Sequence, residues 1–293
     1  MKKTSAELLA LESKMYEFQG PGKMVTSEEL EKNLVSIPSF GFKVGIPSID
    51  RICDGVEAGE LIIVTGPTGE GKTTLLMTIT QNLALQKIDS AWFTLEVTPR
   101  QFLNKLKKKS NILPHFIIPD QNIDNSIDWI EEKIIEAKVK YHISAVFIDH
   151  IHQIFSLQKV QGNVSLEIGD MLAKIKDIAI THNVAIFLIA HSKDPMIPTS
   201  EPRKEDIRDS GLISRLADTS IGVWRTTNED DGSLMKRPSQ INEHDNRSKV
   251  RILKNRRTGI LGGFVMIHDQ HYLTEWDGFT TPKIIPVKTN DLF

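Results

Sequence analysis

One short stretch constrains the fold of this chain more than any other: GPTGEGKTTLL, residues 66–76. It matches the pattern G-x-x-x-x-G-K-[S/T], in which a glycine-rich loop cradles phosphates with its backbone N–H groups. The apolar run ELIIVT (60–65) precedes it, and residues that favour a helix follow it. Because the motif requires a strand before the loop and a helix after it, we predict a nucleotide-binding loop rather than a chance match.

Apolar strands alternate with helices through much of the remaining sequence. We predict strands at 60–65, 90–95, 115–119, 144–149 and 184–190, with helices at 72–86, 98–109, 123–141, 165–182 and 205–217. Later strands follow at 219–224, 249–255, 262–267 and 272–276. Fully apolar strands between helices indicate a parallel sheet covered on both faces. The predicted fold class is α/β, with a mostly parallel twisted sheet and a C-terminal antiparallel extension.

The two ends of the chain have a different character from its middle. Residues 5–18 place Leu8, Leu11, Met15 and Phe18 on one helical stripe, and the polar segment 22–45 has the pattern of a linker. So short a helix is marginal alone, so we expect it to pack on a neighbour in the same chain or another. The predicted organisation is an N-terminal helix and linker with a subunit-contact role, one ATPase domain and a C-terminal tail, over 1–40, 41–279 and 280–293.

Composition narrows the environment. The 293 residues are 40% hydrophobic and 25% charged with a net charge of −2, which is ordinary for a globular protein. The single cysteine, Cys53, excludes an intramolecular disulfide and is typical of a reducing compartment. We therefore predict the cytoplasm, or a host's cytoplasm for a phage or plasmid protein. Near-zero net charge means that any nucleic-acid contact comes from local patches or from a channel built by several copies.

Polar side chains at strand ends complete the predicted site. Lys72 is placed to reach the β- and γ-phosphates, and the Thr73 hydroxyl to bind Mg²⁺. Asp149 and Glu96 each end an apolar strand at the sheet edge where such folds bind ligands, so one could orient Mg²⁺ and the other polarise a water. Each could also simply solvate a loop. The predicted phosphate-binding residues are Gly66, Pro67, Thr68, Gly69, Glu70, Gly71, Lys72, Thr73 and Thr74.

Histidines near these strand ends admit weaker interpretations. His191 closes the strand IFLIAH and could hydrogen-bond the γ-phosphate, although a histidine after a strand usually has no special role. The spacing His150-x-His152 lacks a nearby cysteine or third histidine, which disfavours zinc.

Five stretches together resemble one family. They are GIPSIDRICDGVEAGELIIVTGPTGEGKTT, FTLEVTPRQF, FIDHIHQI, LIAHSKDP with DIRDSGLISRLADTSIGVWR, and ILKNRRTG. Between Gly45 and Thr274 the chain is similar to the RecA-like ATPase domain of DnaB-type hexameric replicative helicases, closest to the phage primase–helicase and mitochondrial branch. The first and third stretches also occur in recombinases and circadian-clock ATPases, whereas the DIRDSG block and the K-N-R-x-T-G strand end are more specific to the helicases.

The resemblance implies roles for individual residues. Glu96 corresponds to the catalytic glutamate, Asp149 to the Mg²⁺-orienting acid, and His191 to a γ-phosphate-contacting residue. Lys254 and Arg256 resemble the pair that reaches a neighbouring subunit's nucleotide, with Arg256 as the arginine finger, whereas Arg257 could be only a solvated basic turn residue. The channel-facing loops of the family correspond to 156–166 and 192–206. Their basic residues could bind DNA phosphates or could be merely solvated: Lys159, Lys193, Arg203 and Lys204.

The resemblance implies an ATP-dependent DNA helicase in DNA replication. ATP and Mg²⁺ are the expected cofactors, and single-stranded DNA, a homo-oligomeric hexameric ring and a separate primase or loader the expected partners. Only about forty residues precede the matching region, which favours a minimal ring protein. A recombinase-like filament former and a non-enzymatic ATP-gated scaffold or loader stay open. The DIRDSG block with the Lys254–Arg256 strand end argues against the first, and Glu96 against the second.

Overall fold

The computed structural model describes residues 23–36, 41–109, 113–150, 164–191, 215–227, 244–269, 272–276 and 284–285, apart from Ile123 and Asn125, and a few scattered residues before them. The chain divides into two compact units, Met1–Ser39 and Phe40–Phe293. Within the described ranges, no helix is both long and apolar enough to cross a membrane. The three-part organisation predicted above stays a prediction.

The first unit contains a helix where the sequence pattern indicated a linker. This helix, α1, spans Ser27–Ser36. A capping box begins it: the Thr26 N–H donates to Glu29 Oε2 and the Glu29 N–H donates to Thr26 Oγ1, each at 3.1 Å. The segment predicted as a linker therefore contains a helix that the sequence pattern did not indicate, and its role as a linker stays a prediction. The helix predicted over 5–18 lies largely outside the described residues.

The second unit carries the strands and helices in alternation. Its helices are α2 (Pro47–Cys53), α3 (Lys72–Leu85), α4 (Pro99–Lys109), α5 (Ile127–Tyr141) and α6 (Val164–Thr181). Its strands are β1 (Gly41–Phe42), β2 (Val56–Glu57), β3 (Leu61–Gly66), β4 (Ser90–Thr94), β5 (Ala145–Asp149), β6 (Ala185–His191), β7 (Thr219–Thr227), β8 (His244–Asn255), β9 (Gly262–Asp269), β10 (Tyr272–Glu275) and β11 (Ile284–Ile285).

One large sheet organises this unit. Among the described residues it has nine strands, in the order β10-β9-β8-β7-β3-β6-β5-β4, with β11 beside β8. Strands β7, β3, β6, β5 and β4 run parallel, whereas β8, β9 and β10 continue antiparallel from β7. The predicted α/β class, mostly parallel sheet and C-terminal antiparallel extension are confirmed.

Both faces of the central strand are buried, as the apolar run predicted. Leu61 and Ile63 of β3 pack in a cluster with residues of α5 and α6, whereas Ile62 and Val64 pack on the other face with residues of α3. Alternate residues of a strand point to opposite faces, so both sets of neighbours are fixed by one short sequence. Because helices cover both faces of the sheet, polar groups collect at the ends of the strands.

Several predicted elements differ in extent from the structure, two of them substantially. The strand predicted at 115–119 is reduced to one bridge, in which the Trp92 N–H donates to Ile117 O and the Ile117 N–H donates to Ser90 O, each at 2.8 Å. Strand β8 begins at His244, ahead of the predicted strand at 249–255. Most of the helix predicted at 205–217 lies outside the described residues.

Candidate nucleotide-binding site

The phosphate loop joins β3 to α3. Residues 66–71 form the turn and residues 72–74 open the helix, so all the predicted phosphate-binding positions, Gly66 to Thr74, lie on one connection. Gly71 precedes the helix with φ 104°, a conformation that favours glycine. A Cβ at Gly66 would overlap the carbonyl oxygen of Val223 on β7. The neighbouring strand, as well as the turn, therefore requires glycine at the start of the loop.

Lys72 is enclosed by the loop that it serves. Lys72 is 6% exposed, and its Nζ donates to the carbonyl oxygens of Gly66 at 2.8 Å and Pro67 at 2.6 Å. Burial lowers the pKa of Lys72 to about 8, although the carboxylates of Asp149, Glu70 and Glu96 oppose that shift. A buried ammonium surrounded by oxygen acceptors is suited to bind phosphate oxygens.

Thr73 and Asp149 meet at the end of β5. Thr73 Oγ1 donates to Asp149 Oδ2 at 2.9 Å, across 76 residues of sequence. Burial raises the pKa of the Asp149 carboxyl, and the Thr73 hydrogen bond opposes that rise. Within the described residues, no three His, Cys, Asp or Glu side chains form a metal-binding group. Mg²⁺ that is bound together with a nucleotide nevertheless needs only one or two protein oxygens, because phosphate oxygens and waters complete its coordination. The Thr73 hydroxyl and the Asp149 carboxylate are oxygen ligands of that kind.

Glu96 lies beside this pair and faces solvent. Strands β4 and β5 pair Thr94 with Asp149, which places Glu96 just beyond the same edge. Its side chain is 60% exposed, and Oε2 lies 3.7 Å from Nε2 of the largely buried His150. A carboxylate in that position is open to water, which a general base requires.

The backbone of His191 reaches the same edge. It ends β6, and its backbone lies opposite Gly66 in the β3–β6 register. The contacts of its side chain are outside what the structure describes. The contact with a γ-phosphate stays a prediction.

Sequence reasoning missed a set of loop supports from β7, β8 and β9. The Arg225 N–H donates to Glu70 Oε2, which ties the loop to β7. At the end of the loop, His268 Cε1 would lie 3.3 Å from a Cβ at Gly71, and His268 Nε2 is 2.8 Å from Ser248 Oγ. No local sequence signal indicates these contacts, because they join segments far apart in the chain.

Lys254 and Arg256 lie at the ends of the strands opposite to the phosphate loop. Both contact the segment just before β7: the Arg256 N–H donates to Asp218 O at 2.9 Å, and Lys254 Nζ donates to Ala217 O. Asp218 in turn is hydrogen-bonded through its own N–H to Leu61 O at 2.9 Å, at the start of β3. The Arg256 side chain is 69% exposed. Lys254 and Arg256, which were predicted to reach a neighbouring subunit's nucleotide, are thus separated from the phosphate loop of their own chain by the full length of β3.

Arg257 differs from its neighbour in every contact. Its guanidinium donates to Glu57 Oε1 and Glu60 Oε2, each at 3.0 Å, and to Gly55 O at 2.9 Å, and its side chain is 25% exposed. It joins the strand end to the β2 segment. The solvated turn residue considered above is instead an anchored one.

The predicted DNA contacts fall outside the described residues. Lys159, Lys193, Arg203 and Lys204 all lie in the undescribed ranges 151–163 and 192–214. Their role stays a prediction.

Comparison with known proteins accords with this geometry. Residues 41–115 and 104–275 match the model of the DnaB-like helicase C terminal domain. The chain is 26% identical over 259 residues to the replicative DNA helicase DnaB of Mycoplasma pneumoniae, covering 76% of this chain and 54% of that protein. It spans about half the length of the curated relatives it matches.

Solved structures share the fold. An isolated ATPase domain superposes with a TM-score of 0.66 at 16% identity, covering 94% of this chain and 100% of that one. A DnaB-like replicative helicase, solved in a study of its interactions with primase, gives a TM-score of 0.66 at 17% identity, covering 93% and 71%. The predicted RecA-like fold and DnaB-type resemblance are confirmed. The chain belongs to the DnaB-like helicase C-terminal domain family.

Proposed function

We propose that this protein is an ATP-dependent DNA helicase: a ring-forming motor that moves along single-stranded DNA during replication and hydrolyses ATP between subunits. The observation that carries the proposal is the separation of Arg256 from its own phosphate loop. Strand β3 runs from Leu61 to Gly66, which is roughly 16 Å at the rise of a β-strand. The Arg256 backbone is hydrogen-bonded at the Leu61 end through Asp218, so a nucleotide that Arg256 meets belongs to another copy.

Each residue of the loop edge has a chemical task in that reaction. Lys72 binds the β- and γ-phosphate oxygens, exchanging the carbonyls of Gly66 and Pro67 for charged acceptors. Thr73 and Asp149 hold Mg²⁺, which would neutralise charge on the phosphates when bound. Glu96, exposed beside His150, orients and deprotonates the attacking water.

The supply of Arg256 by a neighbour makes turnover depend on assembly. A guanidinium next to the transferred phosphoryl group stabilises its negative charge, and such arginines contribute roughly 10³–10⁵ in kcat. A contact in which one surface of a subunit meets a different surface of the next closes into a ring or opens into a filament. The ring, in six copies, is the assembly we propose, with single-stranded DNA in its channel and a primase or loader as a separate partner. The second structural neighbour's interaction with primase supports that partner.

The proposal is tested by steady-state ATP hydrolysis with and without single-stranded DNA. We expect DNA to stimulate ATP hydrolysis by the wild type. The kcat of Arg256→Ala should fall at least about 100-fold, while the variant binds nucleotide normally. Arg257→Ala is the matched control: removal of an anchored arginine lowers thermal stability, but turnover per folded molecule changes by less than about threefold. Turnover indifferent to both DNA and Arg256 would refute the proposal.

The two rival functions give different results. A recombinase-like protein would form filaments on DNA rather than closed rings in electron micrographs. A scaffold or loader gated by bound ATP would show no ATP turnover, and Glu96→Gln would leave its scaffolding or loading function intact.

A further inference from the structure

We propose that Asp218 is the positioning residue for Arg256: its buried carboxylate fixes the strand end from which Lys254 and Arg256 act on the neighbouring subunit. The inference rests on the proposed function, because Arg256 has a task only where another copy's nucleotide meets it. Asp218 closes the sequence block DIRDSGLISRLAD, and no sequence signal linked it to the strand end ILKNRRTG.

One oxygen of Asp218 is fixed by the core of the sheet. The side chain is 10% exposed, and Oδ2 accepts from the Leu61 N–H at 2.8 Å and from Lys176 Nζ on α6 at 2.5 Å. Lys176 Nζ also donates to Gly59 O at 2.7 Å. A buried carboxylate is costly unless it is paired and hydrogen-bonded, and here both conditions are met on one oxygen. The plane of the carboxylate is therefore set by β3 and α6.

The other oxygen faces Arg256. Asp218 Oδ1 lies 3.6 Å from an Nη atom of Arg256, and the backbone oxygen of Asp218 accepts the Arg256 N–H at 2.9 Å. Lys254 Nζ donates to the carbonyl oxygens of Ala217 and, at 3.3 Å, Arg215. Both basic residues thus rest on one short segment, 215–218, which Asp218 attaches to the sheet.

The Asp218 carboxylate orients the Arg256 side chain without immobilising it. Asp218 Oδ1 is beyond hydrogen-bond length from the Arg256 Nη atom, so the attraction is electrostatic and leaves the 69%-exposed side chain able to meet another acceptor. A phosphate that carries more than one negative charge on a neighbouring subunit would compete well for the guanidinium. Asp218 therefore limits the range of Arg256 before assembly and keeps its backbone in place afterwards.

Arg257 shows that this support is specific. It is adjacent in sequence, but its guanidinium contacts Glu57, Glu60 and Gly55 rather than Asp218. Substitution of Arg257 removes a cation from the same turn and leaves every hydrogen bond of the Asp218 carboxylate in place, so it serves as the control.

The test uses mixed oligomers of full-length subunits. Lys72→Ala subunits lack a working phosphate loop but donate Arg256, whereas Arg256→Ala subunits keep the loop and lack the finger. In a one-to-one mixture about a quarter of the interfaces combine a working loop with a working finger, so ATPase activity returns. No recovery would refute the proposed shared site itself, and so is distinguishable from failure of the Asp218 inference.

The decisive mixture replaces Lys72→Ala by Lys72→Ala/Asp218→Asn. We expect recovery to fall at least tenfold, whereas Lys72→Ala/Arg257→Ala recovers as fully as Lys72→Ala. A second mixture distinguishes loss of positioning from general misfolding. In it the Asp218→Asn subunits supply the phosphate loop and the Lys72→Ala subunits supply Arg256. The Asp218→Asn subunits should bind nucleotide with wild-type affinity, and the Lys72→Ala subunits should restore their ATPase activity. Full recovery with the double variant, or failure of that rescue, would overturn the inference.

A second substitution covers the case in which Asp218→Asn does not fold. Asp218→Glu keeps the charge but moves the carboxylate by one methylene, so it is expected to bind nucleotide normally and to donate the finger several-fold less well. If folded Lys72→Ala/Asp218→Glu subunits donate Arg256 as well as Lys72→Ala subunits, Asp218 does not position it.

Discussion

Nucleotide binding should weaken as the pH rises through the pKa of Lys72. Burial lowers the pKa of this residue to about 8 in the free protein. Phosphate oxygens next to Nζ favour the charged ammonium, so the pKa rises on binding. Above pH 8 the free protein has lost the proton that the complex holds, and binding must take one up.

The structure sets the size of the effect. With a bound-state pKa well above the range tested, Kd increases by a factor of about 1 + 10^(pH − 8), which is about twofold at pH 8 and about tenfold at pH 9. Tenfold corresponds to about 1.4 kcal/mol of binding free energy.

The assay is a titration with a fluorescent ATP analogue from pH 7 to 9 at constant ionic strength. Calorimetry in two buffers of different ionisation enthalpy counts the protons taken up. Lys72→Arg is the control, since its guanidinium stays charged throughout and the dependence on pH should vanish. An affinity that is constant over this range, with no proton uptake, would show that Lys72 keeps its ordinary pKa and that the account of its burial is wrong.

Three further predictions concern the fold that supports the site. Gly66→Ala, which places a Cβ against Val223 O at φ 150°, should lower the free energy of unfolding by roughly 2 kcal/mol or more in urea denaturation. Trp92→Ala removes a ring stacked on Phe147 at 5.0 Å and should cost about 3–5 kcal/mol in the same assay, an expectation that a loss below about 1 kcal/mol would contradict. Cys53, 3% exposed and with its pKa raised to about 11 by burial, should resist thiol reagents at pH 8 when folded and react fully in denaturant.

The sequence predicted most accurately what short segments determine by themselves. The short apolar runs of β3 and β6, which alternate with helical segments, indicated strands buried on both faces, and the glycine pattern from Gly66 to Gly71 indicated a loop between strand and helix. The helix at Ser27–Ser36 was equally local, and its Thr26–Glu29 capping box was a signal that the polar composition of the segment obscured.

Contacts between distant segments were beyond the sequence. The Leu61 N–H meets Asp218 across 157 residues, and Arg225 meets Glu70 across 155. Such pairings depend on the order of strands in the sheet, which no local pattern encodes. The difference between Arg256 and Arg257 has the same origin: two adjacent arginines diverge in direction where the strand ends, and only their surroundings distinguish an exposed cation from an anchored one.

Strand displacement from a forked duplex tests directly whether this protein is a helicase. Protein and Mg²⁺ are assembled on the fork with a non-hydrolysable ATP analogue, and ATP is then added in excess, with forks that carry either polarity of single-stranded tail. We expect displacement that requires hydrolysable ATP and one tail polarity, and that is abolished by Arg256→Ala. Rapid ATP hydrolysis without displacement on either fork would contradict a helicase and leave an ATPase with a different task.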